Sequence, residues 1–171
     1  MNEQVIIRFR DLVTELGGTI EDHRAIIQSF GEVWWGWFMQ PYEIAPRVLF
    51  GQMLERIRIN GSMNSFLFDT GQALLYSCTI ADIKVSPSSR GLSSPDPERS
   101  PEYYHRGRYP AWFLLRGIES VRFEDIQLNY RGFPTRPELA GTLDGLIGHR
   151  IQSASQLRDT KVTLWVINRE V

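Results

Sequence analysis

A chain of 171 residues suits one domain, with a core that needs no disulfide or metal staple. Hydrophobic residues at 42% and charged residues at 23% are the proportions of an ordinary globular protein, which argues against a disordered or low-complexity chain. A net charge of −1 argues against strong general attraction to nucleic acid or to an anionic membrane, while leaving room for a local basic patch.

The single cysteine, Cys78, allows no intrachain disulfide and no CxxC metal pair, which predicts a cytoplasmic setting. The stretch from Met1 to Leu12 holds no apolar run of signal-peptide length. No segment approaches the roughly 20 apolar residues of a membrane span, so no membrane partner is expected. Aromatic residues reach 12%, with five tryptophans, of which Trp34, Trp35 and Trp37 are nearly consecutive.

In chain order, Val5–Phe9 (VIIRF) reads as a β-branched strand. After the break at Gly17-Gly18, Thr19 is the expected N-cap, with Asp22 three residues on. Ile20, His23, Ile26, Ile27 and Phe30 then recur at helical spacing up to Gly31, which predicts a helix over Ile20–Phe30. Glu32–Phe38 (EVWWGWF) reads as a strand with Val33, Trp35 and Trp37 on one face and Trp34, Gly36 and Phe38 on the other. Pro46 suits a first helical turn, and Phe50, Met53, Leu54 and Ile57 predict a helix over about 46–59.

Ser65–Phe68 and Ala73–Val85 read as strands joined by a turn at Asp69-Thr70-Gly71. The apolar face switches from Leu74, Tyr76, Cys78 and Ile80 to Ile83 and Val85, which predicts a bulge near 80–82. Residues 86–101, rich in serine and proline, predict a mobile surface loop with too little apolar area to pack. Trp112–Leu115 and Ile118–Phe123 read as a strand and its bent continuation. Residues 131–149 give only a Gly-Phe-Pro turn and one short helix, Ser153–Arg158 a last helical turn, and Lys161–Ile167 a final strand. The fold class is therefore α+β: a curled mixed or antiparallel sheet, or a small barrel, with two or more peripheral helices in one domain over 1–171.

Signatures of common enzymes are missing: there is no phosphate loop, no GxGxxG, no HExxH and no GxSxG. His23, His105 and His149 lie far apart, without a second metal ligand at working spacing, so neither metal nor cofactor is expected. His23 on an apolar helical face reads as a hydrogen-bonded core histidine, and Cys78 as a buried, inert thiol. Asp69-Thr70-Gly71 matches the aspartic-protease triplet, but it is also good turn chemistry where a hairpin needs one. For the tryptophan cluster two readings stay open. Alternate residues pack the core, or one face lines a pocket in which a flat ring stacks, with Gly36 leaving space at the backbone. A second constellation, Arg99, Tyr103, Tyr104, His105, Arg106, Arg108 and Trp112, interleaves arginines and aromatics as phosphate contact plus stacking requires.

The runs IIRFRDL, TIEDHRAII and GEVWWGWF resemble the start of an N-terminal sensor module of bacterial multidomain proteins that carry metallophosphoesterase or nucleotide cyclase domains. LFDTGQALLYSCTIADI, SPEYYHRGRYPAWFLL and TKVTLWVI fit the same resemblance, and the order of elements is similar to PUA-like domains of the EVE and YTH branches. That resemblance implies a small curled barrel whose aromatic pocket holds a nucleotide or a flipped, modified base. Stacking would come from Trp34, Trp35, Trp37 and Trp112, phosphate contacts from Arg106 and Arg108, and polar readout from Asp69 or Tyr104, with Tyr103 beside them. It implies partners of two kinds: a nucleotide or nucleic acid, and an effector domain or protein. The expectation is a non-catalytic recognition module. The alternatives are a protein-interaction module using its aromatic surface, and an enzyme with His105 and Asp69 or Glu102 as acid and base.

Overall fold

The computed structural model describes residues 3–139 and 145–170. Its elements are β1 (Glu3–Phe9), α1 (Gly18–Phe30), β2 (Val33–Gly36), α2 (Arg47–Asn60), β3 (Met63–Asp69), β4 (Leu74–Val85), β5 (Ala111–Val121), β6 (Gln127–Gly132), α3 (Ala154–Asp159) and β7 (Leu164–Glu170). The strands make one mixed sheet in the order β2-β5-β4-β3-β1-β7-β6. β1 and β3 are parallel, and the neighbours on either side pair antiparallel. A parallel pair needs a long crossover, here supplied by α1, β2 and α2. The sheet is open, with β2 and β6 as its ends, and backbone bonds from the 148–151 segment cover β6.

Side chains alternate across the pleat, so β1 feeds two cores. Val5 and Ile7 join Ile20, Trp35, Trp37, Phe50, Met53 and Phe113 under α1 and α2. Ile6 joins Phe66, Phe68, Leu128, Tyr130, Leu157 and Trp165 on the opposite face. The expected bulge is present: the β4–β5 register shifts between Cys78 and Thr79 and between Ile80 and Asp82. Gly117, at φ 71°, bends β5 where the sequence suggested a kinked continuation.

Three local expectations need correction. α1 begins one residue before the expected Thr19 cap, and its N-cap is Gly17. The capping acceptor is Asp11, whose carboxylate takes the amides of Gly17 at 3.0 Å and Thr19 at 3.2 Å. β6 was not foreseen. Its inward residues are Leu128 and Tyr130, with Asn129 between, too short an alternation to stand out. The final strand starts at Leu164 rather than Lys161 and runs to Glu170. Of the stretch 131–149, residues 140–144 lie outside the described residues. No helix among the described residues is long and apolar enough to cross a membrane.

Candidate functional site: an aromatic pocket

Phe9 at the end of β1, Trp35 and Gly36 on β2, and Tyr103, Tyr104 and Tyr109 before β5 surround a cavity of about 360 Å³. Thr19 of α1, Thr70, Gln40 and Thr163 supply polar lining, and Arg8, Arg10, Leu12, Val13 and Phe38 complete it. Among the described residues no carboxylate lines it. The volume falls at the small end of ligand pockets, the size for one planar ring system.

Trp35 is held from two sides. The Phe9 ring meets it edge-on at 5.0 Å, and the His23 imidazole lies against it at 4.3 Å. His23 is fully buried, and its Nδ1–H donates to the Thr19 carbonyl at 2.7 Å. Burial pushes its pKa down to about 4, only partly offset by that bond, so the imidazole is neutral. Its Nε2 lone pair has no protein partner.

Behind the pocket Tyr104, Tyr109 and Trp112 pack edge to face, with centroids 5.1–5.3 Å apart, and Tyr103 meets Tyr104 at 4.7 Å. Burial pushes the Tyr103 and Tyr104 phenols well above their usual range, with the Asp22 carboxylate adding to it at Tyr103 and the neighbouring Tyr103 and Tyr109 phenols adding to it at Tyr104. Both are neutral at any physiological pH. A Cβ on Gly36 would come within 3.1–3.2 Å of Trp112, Tyr109 and Tyr104. The space that glycine opens on β2 is thus filled by the protein's own rings.

The segment 86–101 is held mainly by polar bonds, with Leu92 packed against the Trp34, Tyr104 and Trp112 layer. Leu92 and Tyr109 exchange backbone bonds of 2.8 Å in both directions. Gly91 sits at φ 72°, where a Cβ would lie 2.9 Å from the Tyr109 amide nitrogen, so this approach requires glycine. Arg108 donates to the carbonyls of Arg90 at 3.1 Å and Gly91 at 2.9 Å, and the Trp112 indole donates to Leu92 at 2.9 Å. His105 Nε2–H donates to the carbonyls of Pro97 and Ser100, and Arg99 pairs with Glu32.

Of the residues singled out from sequence, the fold brings Trp35, Tyr103 and Tyr104 together in the pocket. Trp34 and Trp112 form the layer behind them with Tyr104 and Leu114. Trp37 turns into the core against Phe50 and Phe113. Asp69 is fully buried, and its carboxylate accepts from the amides of Gly71 and Gln72 and from the Gln72 side chain, as a turn residue does. Arg106 is exposed, and neither it nor Arg108 lines the pocket, whose arginines are Arg8 and Arg10. Phe9, Tyr109 and this basic pair were missed, although Arg8-Phe9-Arg10 interleaves arginine and aromatic just as the 106–109 stretch does. Also unforeseen is Glu43, a buried carboxylate that accepts from the Thr135 hydroxyl, the Thr163 amide and hydroxyl, and the Gln40 amide. It ties two lining residues, Gln40 and Thr163, to each other.

Residues 5–171 match the Pua-like family model. The chain belongs to the Pua-like family. The family points to nucleic-acid recognition, and in this Pua-like chain an aromatic pocket stands beside two arginines. Comparison with curated proteins and with solved structures gives no match. Among the described residues no cluster of His, Cys, Asp or Glu is arranged to hold a metal ion.

Proposed function

We propose that this Pua-like chain is a recognition module that takes one nucleobase, plain or modified, into the pocket walled by Trp35, Phe9, Tyr103 and Tyr104. The base is either part of a nucleotide or extruded from a strand. The observation that carries this reading is the combination of ring-lined walls, neutral phenols and a basic rim free of carboxylates. Stacking on such walls is worth about 1–3 kcal/mol per base. Tyrosine hydroxyls and the Thr19, Thr70 and Thr163 groups offer donors and acceptors to a base edge, and Arg8 and Arg10 attract the attached phosphate. Asp69, Arg106 and Arg108 are not needed for this contact. The resemblance to sensor modules supports a setting in a cytoplasmic bacterial defence or signalling protein, where base binding would be relayed to an effector domain.

Titration with nucleosides, nucleotides and base-modified oligonucleotides, followed by tryptophan fluorescence, tests this. Saturable quenching that disappears in a folded Trp35→Phe or Tyr103→Ala variant is expected. A flat response across the panel sinks the reading.

A second reading is favoured by Leu12, Val13 and Leu16, which are 69–77% exposed, the first two at the pocket lip. Such a patch suits protein docking. Ligand-independent dimerisation, abolished by Leu12→Ser with Leu16→Ser, would favour an interaction module over base recognition.

A further inference from the structure

A second cavity of about 340 Å³ adjoins the base pocket and shares two of its lining residues, Phe38 and Tyr109. Its other walls come from Met39, Arg90 and Arg108, with Trp37, whose indole N–H has no protein partner, also lining it. Among the described residues no carboxylate lines this cavity either. In a chain with 20 acidic and 19 basic residues, two adjoining cavities that hold four arginines and no acid are a local excess of positive charge. Between the arginine pairs stands Phe38, 55% exposed, a large ring that the core does not use.

We infer that this second cavity is a subsite for the phosphate and nucleotide adjoining the held base, so that the ligand is a single strand of nucleic acid rather than a free nucleotide. A strand alternates anionic phosphates with flat rings. The arginine pair Arg8 and Arg10, the Phe38 ring, and the pair Arg90 and Arg108 repeat that alternation across the two cavities. A free mononucleotide has one base and one phosphate site, and engages only the first pair. The second pair is prepared for this work. The Arg108 guanidinium is fixed by the Arg90 and Gly91 carbonyls and still carries its charge and unspent N–H groups, so little side-chain entropy is lost when an anion arrives. Arg90, exposed on the same loop, is free to swing toward a backbone phosphate.

The inference rests on the base-pocket reading, and one experiment separates the two. Each base of the fluorescence panel is presented as a nucleoside, as a monophosphate, and at the centre of fluorescein-labelled octamers of DNA and of RNA. The expected result is that octamers bind at least about tenfold more tightly than the monophosphate, with the DNA and RNA arms naming the strand. Arg90→Gln should then lower the octamer-to-monophosphate affinity ratio about threefold to tenfold and flatten the salt dependence by roughly 0.7 in log–log slope. Arg122→Gln, a change at another exposed arginine that lines neither cavity, should do neither. Phe38→Ala gives an independent check through lost octamer affinity. Monophosphates that bind with no gain from the octamer, or equal effects of Arg90→Gln and Arg122→Gln, overturn the subsite and leave the base pocket standing. If no form binds, or octamer binding ignores Tyr103→Ala, the base pocket falls and the subsite with it.

Discussion

Trp35 and Trp37 lie two residues apart on the same face of one chain segment, and they are equally buried, at 2% and 0% exposed. Their neighbours differ. Trp37 packs at right angles to Phe50 of α2, with Phe113 of β5 nearby, so core residues hold its ring although it also borders the second cavity. Trp35 is backed by Phe9 and the neutral His23 imidazole, and borders the cavity that Tyr103 and Tyr104 close from the other side. Burial therefore does not separate core from pocket wall. A pocket wall is a buried residue whose packing is complete on all sides but one, and the backing residues decide where that side opens.

Removing either indole breaks the comparison at its strongest point. Trp37→Ala should cost about 3–5 kcal/mol in urea unfolding, the figure for a large buried aromatic. Trp35→Ala should cost a similar amount, which makes it a poor binding variant and Trp35→Phe the better one. If Trp35→Ala proved nearly neutral, its packing against Phe9 and His23 would be loose and the rigid wall would be lost from the account.

The next largest effect comes from the backing of that wall. His23 has a folded pKa of about 4 and an unfolded value of 6.5, so above that range the imidazole is neutral in both states. As pH falls from 6.5 toward 4 the unfolded chain binds a proton that the fold refuses, and stability is lost. The loss reaches about 3 kcal/mol by the lower limit. Urea unfolding at pH 7 and pH 4.5 should show a steeper decline for the wild type than for His23→Gln, in which the carboxylates titrate alike. Parallel declines would mean that His23 is hydrated.

How much of this could be read from the chain follows from the range of each interaction. The helices, the alternation of Val33, Trp35 and Trp37 against Trp34, and the bulge near 80–82 are local patterns with a period, and the structure has them. The pocket is not periodic. Phe9, Thr19, Trp35 and Tyr103 come from separate elements that only the β1–β3 crossover and the β2–β5 pairing bring together. Glu43 looked like an ordinary loop charge, because its four donors lie three, 92 and 120 residues away. Gly36 was legible as a gap, but not that Trp112, Tyr109 and Tyr104 fill it.

A smaller effect sharpens the distinction between wall and layer. Tyr103 is only partly buried, whereas Tyr104 is 6% exposed and packed among Trp34, Trp112 and Leu114. Tyr103→Ala should weaken ligand by about 1–3 kcal/mol in the fluorescence titration while leaving a cooperative unfolding transition. Tyr104→Ala should instead register chiefly as lost stability. The reverse pattern would exchange their roles.

The smallest expected effect concerns the lip of the pocket, where strand packing gives way to a loop. Leu12 and Val13 project from the connection between β1 and α1, with little apolar contact to hold them. What fixes that connection is Asp11, bonded to the Gly17 and Thr19 amides and the Thr14 hydroxyl. Burial raises the Asp11 pKa, but the bonds from Thr19, Gly17 and Thr14 outweigh it and the net shift is downward. A lowered carboxylate contributes stability above its unfolded value, and that contribution is lost as pH falls through the folded one. Asp11→Ala should therefore cost about 1 kcal/mol at neutral pH, the usual worth of a helix cap, and less in acid where the wild type is protonated. Hydrogen exchange at the Gly17 and Thr19 amides should quicken in the variant while the amides of β2 hold their protection. If β2 loosened as well, the wall and the lip would be one cooperative unit, and the separation drawn between Trp35 and the loop beside it would have to be given up.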